Sequence, residues 1–380
     1  MINAAYFHIP FCEHICHYCD FNKVFLKGQP VQEYLDAMER EIQLTFAEAA
    51  PPPKFNTIFV GGGTPTALTE QQLDRLCDII RTNIPSHEQT EFTFEANPGD
   101  LSKRKFQILK DAGVNRISFG VQTFNNELLK KIGRVHRAED VYQSIELAQQ
   151  TGFQNISIDL IYSLPGQTLD DFKQTLDQAL KLQLPHYSGY SLIIEPKTVF
   201  YNLFRKGKLP TVGEDIEAEM YEMLMEQMDK QGYKQYEISN FSLPGYESKH
   251  NLTYWNNEEY YGFGAGAHSY VNGFRNSNFG PLKKYLDSIA SNQLPILEKH
   301  KVIKSEAIEE EMFLGLRKTA GVSLSDFQTK YQSNLTDLFH DEISKLKERG
   351  LIELAENHIR LTKRGKLLGN EVFQSFLGVI

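Results

Sequence analysis

Three cysteines packed into one short stretch, Cys12, Cys16 and Cys19, limit what this chain can be more than any other feature. They lie in Tyr6-Phe7-His8-Ile9-Pro10-Phe11-Cys12-Glu13-His14-Ile15-Cys16-His17-Tyr18-Cys19, spaced C-x3-C-x2-C. The apolar run Ala5–Ile9 before them reads as a strand, so the cysteines occupy the loop at its C-terminal end. Thiolates are soft ligands that suit zinc, Cu(I) or iron–sulfur clusters. A closed structural site takes four protein ligands, and the fourth cysteine, Cys77, sits far away in an apolar helical pattern. Three thiolates in one loop therefore point to a cubane cluster with one iron left open for a substrate or cofactor. Other readings of the loop are a zinc site completed by His8, His14 or His17, a redox pair at Cys16 and Cys19, and plain buried thiols. The redox pair leaves Cys12 unexplained, and buried thiols fit poorly in a polar, histidine-rich loop.

At 380 residues the chain has room for a large α/β domain with an appendage. A net charge of −9 argues against a nucleic-acid binder, because phosphate contacts need a basic excess. No apolar run reaches membrane-spanning length, which leaves only peripheral membrane contact open. The N-terminal residues lack the basic and apolar regions of a secretory signal. Clustered cysteines without a leader indicate a reducing, cytoplasmic setting and metal rather than disulfides.

Short β-rich runs alternate with amphipathic helical patterns through the first two hundred residues. Strands are expected at Ala5–Ile9, Thr57–Val60, Phe92–Glu95, Arg116–Gly120, Ile156–Leu160 and His186–Leu192. Helices are expected at Val31–Ala47, stopped by Pro51-Pro52-Pro53, and at Ser102–Ala112, Ala138–Thr151 and Leu169–Leu182. Thr69 with Gln72 forms a capping box for one more helix. Such alternation gives a parallel sheet with right-handed crossovers, and six units suit a partial (β/α)6 barrel better than a closed eightfold one. The alternative is an open doubly wound sheet. In both folds ligands gather where the strands end. At those ends stand Gly61-Gly62-Gly63-Thr64-Pro65, Glu95-Ala96-Asn97-Pro98, Gly120-Val121-Gln122 followed by Gly133-Arg134, and Asp159 within an apolar run. Glycines let backbone approach a ligand; no Gly-Lys-Ser/Thr follows them, so they form no phosphate loop. Asp159 is too deep in apolar company for an idle charge.

The cysteine motif, with an aromatic before its last Cys, resembles the radical S-adenosylmethionine (SAM) superfamily, and the order of the strand ends resembles its oxygen-independent coproporphyrinogen III oxidase-like (HemN) family. The resemblance implies a radical SAM partial barrel and a [4Fe-4S] cluster on Cys12, Cys16 and Cys19, whose open iron SAM chelates. It also implies SAM contacts at Tyr6, Gly62, Gly63, Thr64, Glu95, Gln122, Arg134 and Asp159. Glu95 matches a ribose-binding carboxylate, and Arg134 a group that can pair with the SAM carboxylate.

Further on, His250-Asn251-Leu252-Thr253-Tyr254-Trp255 holds the only tryptophan of the chain. This H-N-x-x-Y-W run resembles the motif of the heme chaperone branch, where the histidine is a candidate heme ligand. Imidazole can coordinate heme iron and aromatics can pack on a porphyrin; the competing reading is a core histidine beside aromatics. Gly262-Phe263-Gly264-Ala265-Gly266-Ala267 matches G-x-G-x-x-A but opens no βαβ unit, and reads instead as a loop closing over the barrel mouth. From residue 304 the pattern turns helical and charged: Glu306–Leu316 and Leu338–Arg349 as helices, Leu351–Leu354 and His358–Leu361 as short strands, and a helix from Thr362. This resembles a winged-helix module. The expected division is 1–235 for the barrel, 236–300 for an extension and 301–380 for a C-terminal winged-helix-like α+β module.

Two activities compete. The oxidase branch decarboxylates porphyrinogen propionates, but it carries a further Cys where this chain has Phe21 and a long segment ahead of the first strand. The H-N-x-x-Y-W run favours a heme chaperone that binds a [4Fe-4S] cluster and SAM, takes an electron from a donor, and passes heme to an acceptor protein. Decarboxylase turnover is doubtful on these grounds, and a zinc-stabilised binding protein stands as a third class.

Overall fold

The computed structural model describes residues 2–47 and 54–380; the break expected at Pro51-Pro52-Pro53 lies outside them. β1 (Ala4–Ile9) leads into a short pair, β2 (Phe11–Cys12) and β3 (Val24–Phe25), that brackets the cysteine loop. Then follow α1 (Val31–Phe46), β4 (Thr57–Gly62), α2 (Glu70–Asn83), β5 (Glu91–Ala96), α3 (Lys103–Asp111), β6 (Arg116–Gln122), α4 (Asn126–Lys131), α5 (Ala138–Gln150), β7 (Asn155–Tyr162), α6 (Leu169–Lys181) and β8 (His186–Ser191). Beyond these come α7 (Val199–Arg205), α8 (Glu214–Lys230), β9 (Lys234–Glu237), β10 (Asn240–Ser242), α9 (Lys249–Trp255) and β11 (Tyr261–Phe263).

The main sheet runs β11-β1-β4-β5-β6-β7-β8-β10-β9. The six expected strands are all present and pair in parallel. Parallel β11 extends one edge and antiparallel β10 and β9 the other. The expected boundary at residue 235 thus falls inside a strand of this sheet. The capping box at Thr69 is present, with the Gln72 amide donating to Thr69 Oγ1 and the Thr69 amide to Gln72 Oε1.

Strand alternation decides what each face of the sheet does. Phe7, Ile9, Ile58, Val60, Phe94, Ile117, Phe119, Ile156, Ile158 and Tyr187 are buried in the core shared with the helices. Their neighbours Tyr6, His8, Phe59, Thr93, Glu95, Arg116, Ser118, Ser157, Asp159, His186 and Ser188 fill the concave inner face. Strands of a parallel sheet covered on both sides usually read as continuous apolar runs. Here one buried face is polar, and buried polar groups are costly unless satisfied. That departure marks the inner face as the working surface.

Past β11, β12 (His268–Val271), β13 (Phe274–Asn278) and β14 (Ile296–Lys301) make a small antiparallel sheet beside α10 (Leu282–Ala290). The last stretch holds α11 (Lys304–Gly315), β15 (Val322–Ser323), α12 (Leu324–Tyr331), α13 (Leu335–Leu338), α14 (His340–Glu348), β16 (Ile352–Ala355), β17 (His358–Leu361), α15 (Lys363–Leu367) and α16 (Gly369–Gln374). Its strands order β15-β17-β16, all antiparallel, over a separate core that includes Met312, Phe327, Phe339 and Phe376. Among the described residues no helix is long and apolar enough to cross a membrane.

Candidate functional site

The cysteine loop is pinned at both ends. The Leu26 amide donates to the Cys12 carbonyl and the Thr64 amide to the Phe11 carbonyl, each at 2.8 Å. The His17 amide reaches the Ile132 carbonyl at 3.0 Å, and His17 Nδ1 bonds the Lys131 carbonyl at 2.9 Å. All four cysteines are free. Cys12 is buried, Cys16 and Cys19 half-buried, and the three line one cavity of about 450 Å³. Burial pushes the Cys12 thiol up to about 11 against the opposing hydrogen bond from Thr64 Oγ1 at 3.6 Å. Cys77 lies apart in the core, its thiol pushed up to about 12 by burial. Among the described residues no three His, Cys, Asp or Glu side chains converge on one ion position. The three thiols line the cavity together, and thiolates are ligands for iron–sulfur clusters.

Next to the thiols, the glycine run ends β4. A Cβ on Gly63 would stand 2.9 Å from Cys12 Sγ and 2.8 Å from the Pro10 carbonyl carbon, so the run must pass the loop bare. Gly62 holds φ +113, and a Cβ there would meet the His8 ring at 2.6 Å. Its amide donates to Glu95 Oε2 at 3.1 Å. Gly62, Gly63 and Thr64 all line the cavity.

The other strand ends supply charge. Glu95, Gln122, Arg134 and Asp159 line the same cavity. Burial, then repulsion from Asp159, pushes the Glu95 carboxyl up to about 7; Arg116 and Arg134 oppose the rise. Asp159 is likewise raised, mainly by burial, while Ser118 Oγ donates to both its oxygens at 3.3 Å. Gln122 holds φ +69, left-handed for a non-glycine residue, at a register shift between β6 and β7. Such a bulge re-aims side chains at a strand end. Arg134 donates to Asn97 Oδ1 and, at 3.1 Å, to the Tyr18 hydroxyl, while its buried Nε has no protein partner.

Of the expected contacts, Tyr6 departs. It is absent from the cavity wall: its hydroxyl bonds His8 Nδ1 at 2.9 Å and its ring stacks on Phe59, deeper in the barrel. Arg116 is a buried inner-face cation whose Nε also has no protein partner. Asn97, Tyr190 and Ile193 join the cavity wall without having been singled out in the sequence. Tyr18, adjacent to Cys19, had only its aromatic character to point to it.

His250 stands elsewhere, at the opposite end of the inner face. It is 1% exposed on α9, with Nδ1 bonded to Thr57 Oγ1 at 2.9 Å and Nε2 to the Tyr254 hydroxyl at 2.8 Å. Its ring stacks on Phe59. Burial, then Arg116, pulls its pKa down to about 3, so the imidazole is neutral. Glu91 accepts from the Lys249 and His250 amides at 3.0 and 3.1 Å and so fixes the start of α9. Trp255 packs under the Arg317 guanidinium at 4.7 Å. In this arrangement both imidazole nitrogens are engaged, and iron could reach Nε2 only after the Tyr254 hydroxyl leaves it.

The glycine-rich run at 262–267 does not close over the cavity mouth. Its first residues form β11 beside β1, and its later ones pack against α1 and the end of the cysteine loop.

Comparison with known proteins gives a concordant result. Residues 6–179 match the family model described as "Radical SAM superfamily", and residues 304–368 match "HemN C-terminal domain". The chain is 57% identical over 378 residues to the heme chaperone HemW of Bacillus subtilis, covering 99% of this chain and 100% of that one. It is 49% identical to the heme chaperone HemW of Lactococcus lactis, covering 99% and 97%. It is 33% identical to that of Escherichia coli, covering 98% of each. The solved coproporphyrinogen III oxidase (HemN) from Escherichia coli, a radical SAM enzyme, superposes with a TM-score of 0.86 at 24% identity. That match covers 99% of this chain and 90% of the oxidase. At that identity the likeness is one of fold.

Proposed function

The chain belongs to the radical SAM superfamily and, within it, to the heme chaperone HemW family; from that membership we propose that it binds heme and transfers it to an acceptor protein. The observation that carries this reading is the identity of 57% to a heme chaperone along essentially the whole length of both chains. Cofactors follow from the family: a [4Fe-4S] cluster and SAM, with heme as the cargo. The coproporphyrinogen oxidase reading has a shared fold at 24% identity and the HemN C-terminal domain match behind it.

In this proposal Cys12, Cys16 and Cys19 hold three irons. A cluster held there would supply one-electron chemistry to a SAM bound beside it. Gly62 and Gly63 bring bare backbone up to the ligand, and Thr64 steadies Cys12. Glu95 and Asp159 offer carboxylate acceptors to ribose hydroxyls, and Gln122 an amide. Arg134, with its Nε unpartnered, supplies the cation for the SAM carboxylate. Tyr6 supports this layer from below through His8. His250 as heme ligand is part of the proposal in a conditional form, since Tyr254 must first give up Nε2. An electron donor of low potential and a cytoplasmic setting complete it, because free thiols and an oxygen-sensitive cluster need a reducing compartment.

Heme titration of the anaerobically reconstituted chain tests the reading. A saturable Soret shift, transfer of the heme to an apo-hemoprotein and no decarboxylation of coproporphyrinogen III are expected. Decarboxylation without specific heme binding would overturn it. Heme retained in His250→Ala would remove the histidine as ligand.

A further inference from the structure

Asn22 lies three residues past Cys19 and outside the cavity wall. Its Nδ2 donates to two carbonyls of the extension, Ala265 at 2.8 Å and Gly280 at 3.0 Å. Its own carbonyl accepts from His8 Nε2 at 2.7 Å. Gly266, at φ +78, faces it so closely that a Cβ would stand 2.7 Å from Asn22 Nδ2. The glycine-rich run, which opens no nucleotide site, thus has a physical reason: it is bare where Asn22 docks.

The run is itself held from behind by buried groups. The Ala265 amide donates to the Tyr34 hydroxyl at 2.9 Å, and that hydroxyl donates to the His8 carbonyl at 2.7 Å. Glu41 accepts from the Gly264 amide at 2.8 Å, Asn278 Nδ2 at 2.6 Å and the Tyr285 hydroxyl at 2.6 Å. A Cβ on Gly264 would lie 2.6 Å from the His8 carbonyl oxygen. On its other side the cysteine loop is anchored at His17, as described. Between His17 and Asn22 stand Tyr18, Cys19, Asp20 and Phe21, and Phe21 is 64% exposed.

We propose that Asn22 is a positioning residue for the iron–sulfur cluster: it clamps the Cys19 end of the loop to the glycine-rich extension, which thereby sets where the third thiolate stands. The proposal rests on the cluster reading above. Three residues of chain span at most about 10 Å, so a displaced Asn22 is felt at Cys19. Groups that orient metal ligands from outside the coordination sphere are worth about 10–100-fold in affinity.

The test uses the full chain with Asn22→Ala and with Asn22→Asp, which keeps the size but removes both Nδ2 donors. In the metal-free chain, amide exchange across Glu13–Phe21 is expected to rise about tenfold, with exchange in the sheet unchanged. In the reconstituted chain, bleaching of the cluster in air is expected to be about tenfold faster, at unchanged melting temperature. Exchange and bleaching both equal to the parent's would overturn the proposal. Should Asn22→Ala lose its fold, Asn22→Asp carries the same two readouts. A parent that assembles no iron and sulfide would sink the cluster reading and with it the thiolate role, while the exchange experiment would still decide whether Asn22 clamps the loop.

Discussion

Glu41 gives the most quantitative prediction. It is a fully buried carboxyl on α1, and its three donors do not repay its burial: the folded pKa is pushed up to about 7 from 4.5, with desolvation the largest cause. Below pH 4.5 both folded and unfolded chains keep the proton. Between 4.5 and about 7 the unfolded carboxyl ionises while the folded one stays neutral, so stability falls as pH rises, and above about 7 the loss is complete. Integrated from pH 5 to pH 8, this one group removes about 2–3 kcal/mol. Glu41→Gln holds the site permanently in its neutral form, with an amide in place of the acid hydroxyl. Glu95, raised in the same direction, is present in both proteins and cancels in the difference. Urea unfolding of the metal-free chain at pH 5 and pH 8, followed by far-UV circular dichroism, measures it. The stability difference should move by about 2–3 kcal/mol in favour of Glu41→Gln between the two pH values. A difference that stays put, or moves the other way, would mean that Glu41 is ionised in the fold at both and that its hydrogen bonds outweigh desolvation.

Three further outcomes follow from single contacts. Gly63→Ala forces a Cβ against Cys12 Sγ and the Pro10 backbone; it should cost about 1–3 kcal/mol and lower the iron and sulfide taken up on reconstitution, and uptake equal to the parent's would show that the close approach is immaterial. Cys16→Ser should abolish the visible absorption of the reconstituted cluster while far-UV circular dichroism is retained; an unchanged spectrum would remove Cys16 as ligand. Glu91→Ala leaves the Lys249 and His250 amides without their acceptor and should lower stability by about 1–3 kcal/mol in urea; a midpoint shift near zero would show that α9 is held by packing alone.

The parallel strands were legible because their apolar alternation and the helical spacing between them are local signals. The cavity set was legible for a related reason: residues at successive strand ends converge whatever the crossover helices contain, so Gly63, Glu95, Arg134 and Asp159 could be grouped before their distances were known. What escaped depends on long-range closure. β11 is too short for a periodic signal and forms because β1 offers an open edge. Asn97 stood in a quoted strand-end segment but carried no signal of its own, while Tyr190 near the end of β8 and Ile193 just past it lie in a segment with no distinguishing pattern. Tyr6 shows the limit of reading by position: alternation puts it on the same inner face as Glu95, but it is level with Thr93, two residues short of Glu95, and its hydroxyl bonds His8 there. The purpose of the glycines at 264 and 266 was likewise hidden, because what they accommodate, His8, Tyr34 and Asn22, lies more than two hundred residues earlier in the chain.

The two sequence motifs that seemed independent are joined through the barrel interior. His250 stacks on Phe59 with ring centroids 5.2 Å apart, and Phe59 stacks on Tyr6 at 6.2 Å. Tyr6 bonds His8, and His8 bonds the Asn22 carbonyl at the foot of the cysteine loop. The H-N-x-x-Y-W histidine and the cluster loop are therefore two ends of one contiguous stack. Truncating His250 opens a cavity under Phe59, and cavities in a packed interior are only partly relaxed by their neighbours. Loss of heme binding in His250→Ala alone thus fails to separate iron ligation from a shifted interior. The discriminating comparison is with Tyr254→Phe, which removes the hydroxyl from His250 Nε2 while leaving the ring stack in place. If His250 is the heme ligand, freeing Nε2 should tighten heme binding and leave the reconstituted cluster unchanged. If His250 instead only braces the barrel floor, Tyr254→Phe should leave heme affinity as it was, and His250→Ala should disturb the cluster spectrum together with the Soret band.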